Sequence, residues 1–228
     1  MSAIVAIISF PSIDGVFSAP AARTDFDSGV PIAITRAGMT RPDDQLNRKL
    51  SDPTFSFGAD ADKYLALYPF TTDEEAQKAQ AASMRDQTFG WNMRTWARHQ
   101  TKTGQSKVYL YYFSHVPSGI SARMGAQHGA EIAYVFDYAN NKNALTTPWT
   151  EYDKKLSDTV SSYFYNFAAT GDPNGKGLPK WPAYQTKDDT AMSFGDTIET
   201  IPVPHKPALD FLDTYYEGLW KSGKMASQ

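Results

Sequence analysis

The chain has no cysteine, which removes disulfides, thiol nucleophiles and thiolate metal sites together and leaves the redox compartment open. It also lacks any block of like charge. With a formal net charge of −3 over 228 residues, the basic footprint of a nucleic-acid binder is missing, and a small neutral or polar ligand fits better. The apolar stretch Ala3 to Phe10 is too short to span a bilayer, and no Lys or Arg precedes it as in a signal peptide. It reads as a buried strand, so no membrane partner is expected. No metal-ligand spacing such as His-Glu-x-x-His occurs, and neither a metal nor an organic cofactor is expected.

What the chain does have is aromatic bulk. Five Trp, thirteen Tyr and thirteen Phe can bury a sizeable core for a chain of this length. The β-branched run Val30 to Thr35 reads as a buried strand, and Lys107 to Phe113 as a second, aromatic-rich one. Thr72-Asp-Glu-Glu75 has capping-box spacing and predicts a helix start. That helical pattern runs on to Trp96, with Gly90 marking a bend or break. Leu156, Val160, Tyr163, Phe164 and Phe167 form a helical stripe that stops at Thr170-Gly171-Asp-Pro173. Met192 to Asp196 reads as a short strand entering a turn, and a last helix is expected from Pro207 to Trp220. No linker or repeat divides the chain.

The segment with chemical promise is Gly125-Ala-Gln-His128-Gly129-Ala-Glu131-Ile-Ala-Tyr134-Val-Phe136. A general base must be reachable, and the small neighbours of His128 leave room for a substrate beside its ring. A histidine near glycine is also an ordinary loop residue. The other histidines carry blander expectations: His99 as a partly exposed residue on a helix, His115 at a strand end and His205 between prolines as solvated groups. Glu131 is assigned a local hydrogen bond or ion pair.

Taken together, these segments resemble the C-terminal half of the type-B carboxylesterases, the α/β-hydrolase family of the para-nitrobenzyl esterases and cholinesterases. The resemblance covers residues 13–222. It rests on Ile13-Asp14-Gly15, Arg85-Asp86 with Phe89, Val108 to Phe113 and the His128-Gly129-Ala-Glu131 motif. It continues through Leu156-Ser-Asp158, Tyr163 to Phe167, Gly171-Asp-Pro-Asn174-Gly and Leu178-Pro-Lys-Trp181-Pro-Ala-Tyr184. It implies an α/β fold over residues 1–228: the C-terminal part of an α/β-hydrolase domain, with an incomplete central sheet flanked by helices.

The resemblance also implies that His128 is the base of a nucleophile–acid–base triad acting on an ester substrate. The family's acid is usually a glutamate in the loop after a strand like Val30 to Thr35. Here that loop reads Gly38-Met-Thr-Arg-Pro-Asp43-Asp44, and Asp44 is the closest positional substitute. Asp43 and Asp44 equally suit the first turn of a helix after Pro42, and both readings stand.

The family's serine elbow, Gly-x-Ser-x-Gly, does not occur. Gly119-Ile-Ser121-Ala-Arg123 lacks the closing glycine, and the glycine-rich oxyanion loop is missing as well. The chain reads as beginning where the second half of such an enzyme would begin. By itself it is expected to be inactive, and to self-associate or need a partner segment over an exposed strand edge and apolar face. The alternative is a non-catalytic esterase-like interaction protein or a truncated remnant. Substrate identity and cellular compartment are not legible.

Overall fold

The computed structural model describes residues 57–117, 125–126, 128–140 and 148–222. The apolar start, Ile13-Asp14-Gly15, the Val30 to Thr35 strand, Asp43, Asp44 and Ser121 lie outside the described residues. The chain divides into two compact units; among the described residues, Asn92–Pro204 belong to the first, and 57–91 with 205–222 to the second.

In the second unit, α1 (Ala61–Leu65) is followed by α2 (Asp73–Arg85), which opens on the expected capping box. The Thr72 hydroxyl accepts from Glu75 N–H, while the Glu75 carboxylate returns to Thr72 N–H. The expected break at Gly90 takes the form of a π-helical turn, Asp86–Gly90, leading into α3 (Trp91–Thr103). Asp86 anchors that turn by accepting from Tyr68 Oη at 2.8 Å and Arg85 Nε at 2.9 Å. The last helix, α6 (Lys206–Lys221), buries Ala208, Leu209 and Leu212, and its Phe211 and Tyr215 rings pack on Phe57.

The first unit is built on a sheet that has three strands among the described residues, in the order β1-β2-β3. Strand β1 (Tyr111–Phe113) runs parallel to β2 (Thr190–Phe194), which turns antiparallel into β3 (Ile198–Pro202). β1 is shorter than the Lys107 to Phe113 run suggests. The Val108 and Leu110 carbonyls still accept from Tyr184 and Met192 N–H, so the chain is paired before the ladder begins. Helix α5 (Glu151–Thr170) lays Leu156, Val160 and Tyr163 against Tyr109, Tyr111, Phe113, Trp181 and Phe194. Each such burial contributes on the order of 1.5–3 kcal/mol relative to exposure. The helix ends where the sequence indicates, at Gly171 with φ of 77°, a left-handed cap that favours glycine. Trp181 sits edge-on to Tyr109, Tyr111, Tyr163 and Phe194, and its indole N–H donates to Leu110 O.

Two buried carboxylates carry the polar interior of this unit. Asp189 accepts from Arg94 Nε at 3.1 and 3.0 Å, from Arg94 Nη2 and from Tyr184 Oη at 2.7 Å, tying α3 to the turn before β2. Asp153 is the N3 residue of the capping box that starts α5, receiving Thr150 N–H and Oγ1 at 2.8 and 2.6 Å. Burial alone would raise the pKa of Asp153. Hydrogen bonds from Thr150, Tyr134 and His115 outweigh it and hold the carboxyl well below the ordinary range. Asp189 is lowered likewise, with burial opposed by Arg94 and Tyr184.

These arrangements generate two expectations. Arg94→Met leaves Asp189 buried without its main counter-charge and should lower unfolding free energy by about 3–5 kcal/mol in urea melts. Arg94→Met with Asp189→Leu should cost less than that single change. Because the folded pKa of Asp153 is depressed, its contribution is complete above the unfolded carboxyl value of about 3.9 and is lost as pH falls below it. Urea midpoints measured from pH 5 down to pH 2 should therefore fall less steeply in Asp153→Asn than in the unsubstituted chain.

Candidate active site

His128 stands on a turn and is exposed, between Gly125 and Gly129. Both glycines are left-handed, with φ of 65° and 86°, a region that penalises any side chain. At Gly129 space is not limiting, since an added Cβ would meet only Ile132 Cδ1 at 3.6 Å; the backbone angle requires the glycine. Ala126 is fully buried and ties the loop to the core while His128 faces outward. The turn closes when Ile132 N–H donates to Gly129 O at 3.1 Å, starting the one-turn helix α4 (Ile132–Val135). In α4 and the turns that follow it Ile132, Phe136 and Tyr138 are exposed, Phe136 to 65%, and the Phe136 and Tyr138 ring centroids lie 6.2 Å apart.

Glu131 does not satisfy its expected local role at both oxygens. Its Oε2 is buried and has no hydrogen-bond partner among the described residues, and the buried Tyr111 hydroxyl is in the same condition. Burial pushes the Tyr111 phenol up, and the nearby Glu131 charge adds to the rise.

His115 is a correction to the sequence reading. Its position at a strand end suggested a solvated group, but it is only 8% exposed, and its Nε2 lies 2.7 Å from Asp153 Oδ1. An ionised carboxylate only accepts, so Nε2 carries the proton. The same oxygen takes the Tyr134 hydroxyl at 2.7 Å, and burial together with this bond raises the Tyr134 phenol. Ring contacts with Tyr134 and Tyr152 enclose the imidazole. The chain folds back here because Ser114 and His115 N–H both donate to Phe194 O, holding the end of β1 beside β2. His99 is exposed on α3. His205 is exposed too, yet its Nδ1 is 3.5 Å from Asp86 Oδ2, and partial burial lowers its pKa.

Asp153 is the buried group that sequence reasoning missed. The available signal was Thr150-Glu-Tyr-Asp153, which has the capping-box spacing recognised at Thr72. Its other two partners come from distant segments and left no local pattern. Because Asp44 and Asp43 fall outside the described residues, His128 is the one proposed triad member whose surroundings can be stated. Among the described residues, no group of three or more His, Asp or Glu is gathered to hold a metal, and no helix is long and apolar enough to cross a membrane.

The chain's relatives agree with the motifs. The sequence profile of the Carboxylesterase family matches residues 29–211. A medium-chain fatty acyl-CoA hydrolase precursor from Anas platyrhynchos is 41% identical over 106 residues, covering 45% of this chain and 18% of that protein. Carboxylesterase 5A of Canis lupus familiaris is 41% identical over 114 residues, 45% of this chain and 20% of its own length. Human cocaine esterase is 36% identical over 88 residues, 37% and 15% of the two chains. The matched stretch thus spans about a fifth or less of each of these relatives. With the family profile covering most of its length, and with helices packed around a mixed sheet, the chain belongs to the carboxylesterase family and has the α/β-hydrolase fold.

Proposed function

We propose that the chain contributes to hydrolysis of carboxylic esters and that His128 is the general base. The observation that carries this reading is the exposed imidazole on a glycine-flanked turn, within the motif that resembles the family's base. In this reading the neutral ring accepts the proton of a serine hydroxyl as its oxygen attacks the ester carbonyl. It then returns that proton to the departing alkoxide, leaving an acyl-enzyme. Water enters by the same exchange in reverse order, releasing the carboxylic acid and restoring the serine. Asp44 is the proposed acid, accepting from the ring N–H opposite the catalytic nitrogen. No metal or organic cofactor takes part in this acyl transfer.

These 228 residues contain no Gly-x-Ser-x-Gly pentapeptide, so the serine and the oxyanion donors belong to a further polypeptide segment. The exposed Ile132, Phe136 and Tyr138, which follow His128 in the chain, support such a segment packing on them.

Alone, the chain should not hydrolyse a short-chain nitrophenyl ester. Combined with a family segment carrying the serine elbow and glycine-rich loop, it should gain that activity. His128→Ala should reduce kcat by about 10³-fold or more, and Asp44→Asn should also lower it. Activity that survives His128→Ala removes His128 from the role. In sedimentation at micromolar concentration the chain without that segment should self-associate, and Phe136→Ser should reduce the association.

A further inference from the structure

We infer that Asp153 is a positioning residue for His128, because its single carboxylate grips both stems of the histidine loop. This inference rests on the proposed role of His128, but its geometry stands apart from that role.

His115 lies two residues past the end of β1, and Tyr134 lies within α4. Those two side chains, on opposite sides of His128 in the chain, converge on one oxygen, Asp153 Oδ1, each at 2.7 Å. The other oxygen is committed to Thr150 at the start of α5, so the carboxylate fixes both stems to the end of a twenty-residue helix. Asp153 is 0% exposed, which strengthens its charge-assisted hydrogen bonds. A neighbouring residue on α5 reinforces the return stem: Ser157 Oγ donates to Asp137 Oδ1 at 2.9 Å, just past α4.

His128 is exposed on a turn between two left-handed glycines, so the course of its backbone depends on where the flanking residues are held. α4 is a single turn and marginal in isolation. Holding the two flanking residues contributes to the placement of the ring, and an error of about 1 Å at a general base can cost about a hundredfold in rate.

Tyr134→Phe and His115→Leu each remove one arm of the clamp, while His115→Gln can restore a donor at the position of Nε2. Hydrogen exchange in the full chain reads the loop at the Ile132 amide, bonded to Gly129 O, and the sheet at the Met192 amide, bonded to Leu110 O. The clamp predicts exchange at Ile132 faster by about tenfold or more in Tyr134→Phe and His115→Leu, with Met192 changed less than about twofold. The His128 ring resonances should shift or broaden in both, and His115→Gln should return them toward those of the unsubstituted chain. With the serine-bearing segment added, kcat should fall while KM stays within about twofold.

Equal acceleration at Ile132 and Met192 would reduce Asp153 to a general stabiliser and overturn the inference. So would unchanged Ile132 exchange together with unmoved His128 resonances. Neither the exchange nor the resonance measurement needs activity, so loss of the esterase reading would be seen separately, in His128→Ala.

Discussion

The ionised carboxylate of Asp153, with no exposure to solvent, is the constraint on which the histidine-bearing unit depends. Taking a carboxylate out of water costs several kcal/mol unless its lone pairs are filled. Here they are filled by a backbone N–H, two hydroxyls and an imidazole N–H from three separate segments. The desolvation cost is thereby coupled to assembly: until α5, the end of β1 and α4 are all in place, the charge has too few partners to remain buried. A group that could have been a local helix cap becomes a test of tertiary structure.

Around it, the aromatic core and the Arg94–Asp189 pair divide the work. Trp181, Tyr163, Tyr111 and Phe194 meet at edge-on and tilted angles and fill the space between α5 and the sheet with large rigid surfaces. Dispersion and burial supply the bulk of the stabilisation but are weakly directional. The ionic groups add direction. Arg94 and Asp189 fix α3 against the turn that launches β2, and β2 in turn holds the backbone of Ser114 and His115 through Phe194 O. A single line of contacts thus runs from a helix through the sheet to the stem of the histidine loop.

What was legible in the sequence was local. Thr72 with Glu75, and Gly171 before Pro173, set their helix ends through neighbours three or four residues away, and both stand where the pattern put them. The membership of the family was legible because it rests on several ordered motifs. β3 carried no alternation strong enough to mark it, since Ile198 to Pro202 forms only by pairing with β2. The π-helical turn at Asp86 to Gly90 is sustained by Asp86 accepting from Tyr68, a residue in another segment. His115 was misread for the same reason: from its neighbours it is a strand-end histidine, and only a carboxylate thirty-eight positions away makes it a buried donor. His128 was singled out by its small neighbours and the family motif, whereas Asp153 left no such pattern, because positioning is a property of convergence in space.

The most direct measurement is the imidazole N–H spectrum of the full chain followed from pH 7 downward. The account predicts a slowly exchanging, downfield His115 Nε2 proton at pH 7 that persists until Asp153 takes up a proton, well below the ordinary carboxylate range. Its loss should coincide with broadening of the His128 resonances. A rapidly exchanging His115 proton at pH 7, or His128 resonances unchanged when that proton is lost, would contradict the claim that this buried carboxylate holds the histidine loop.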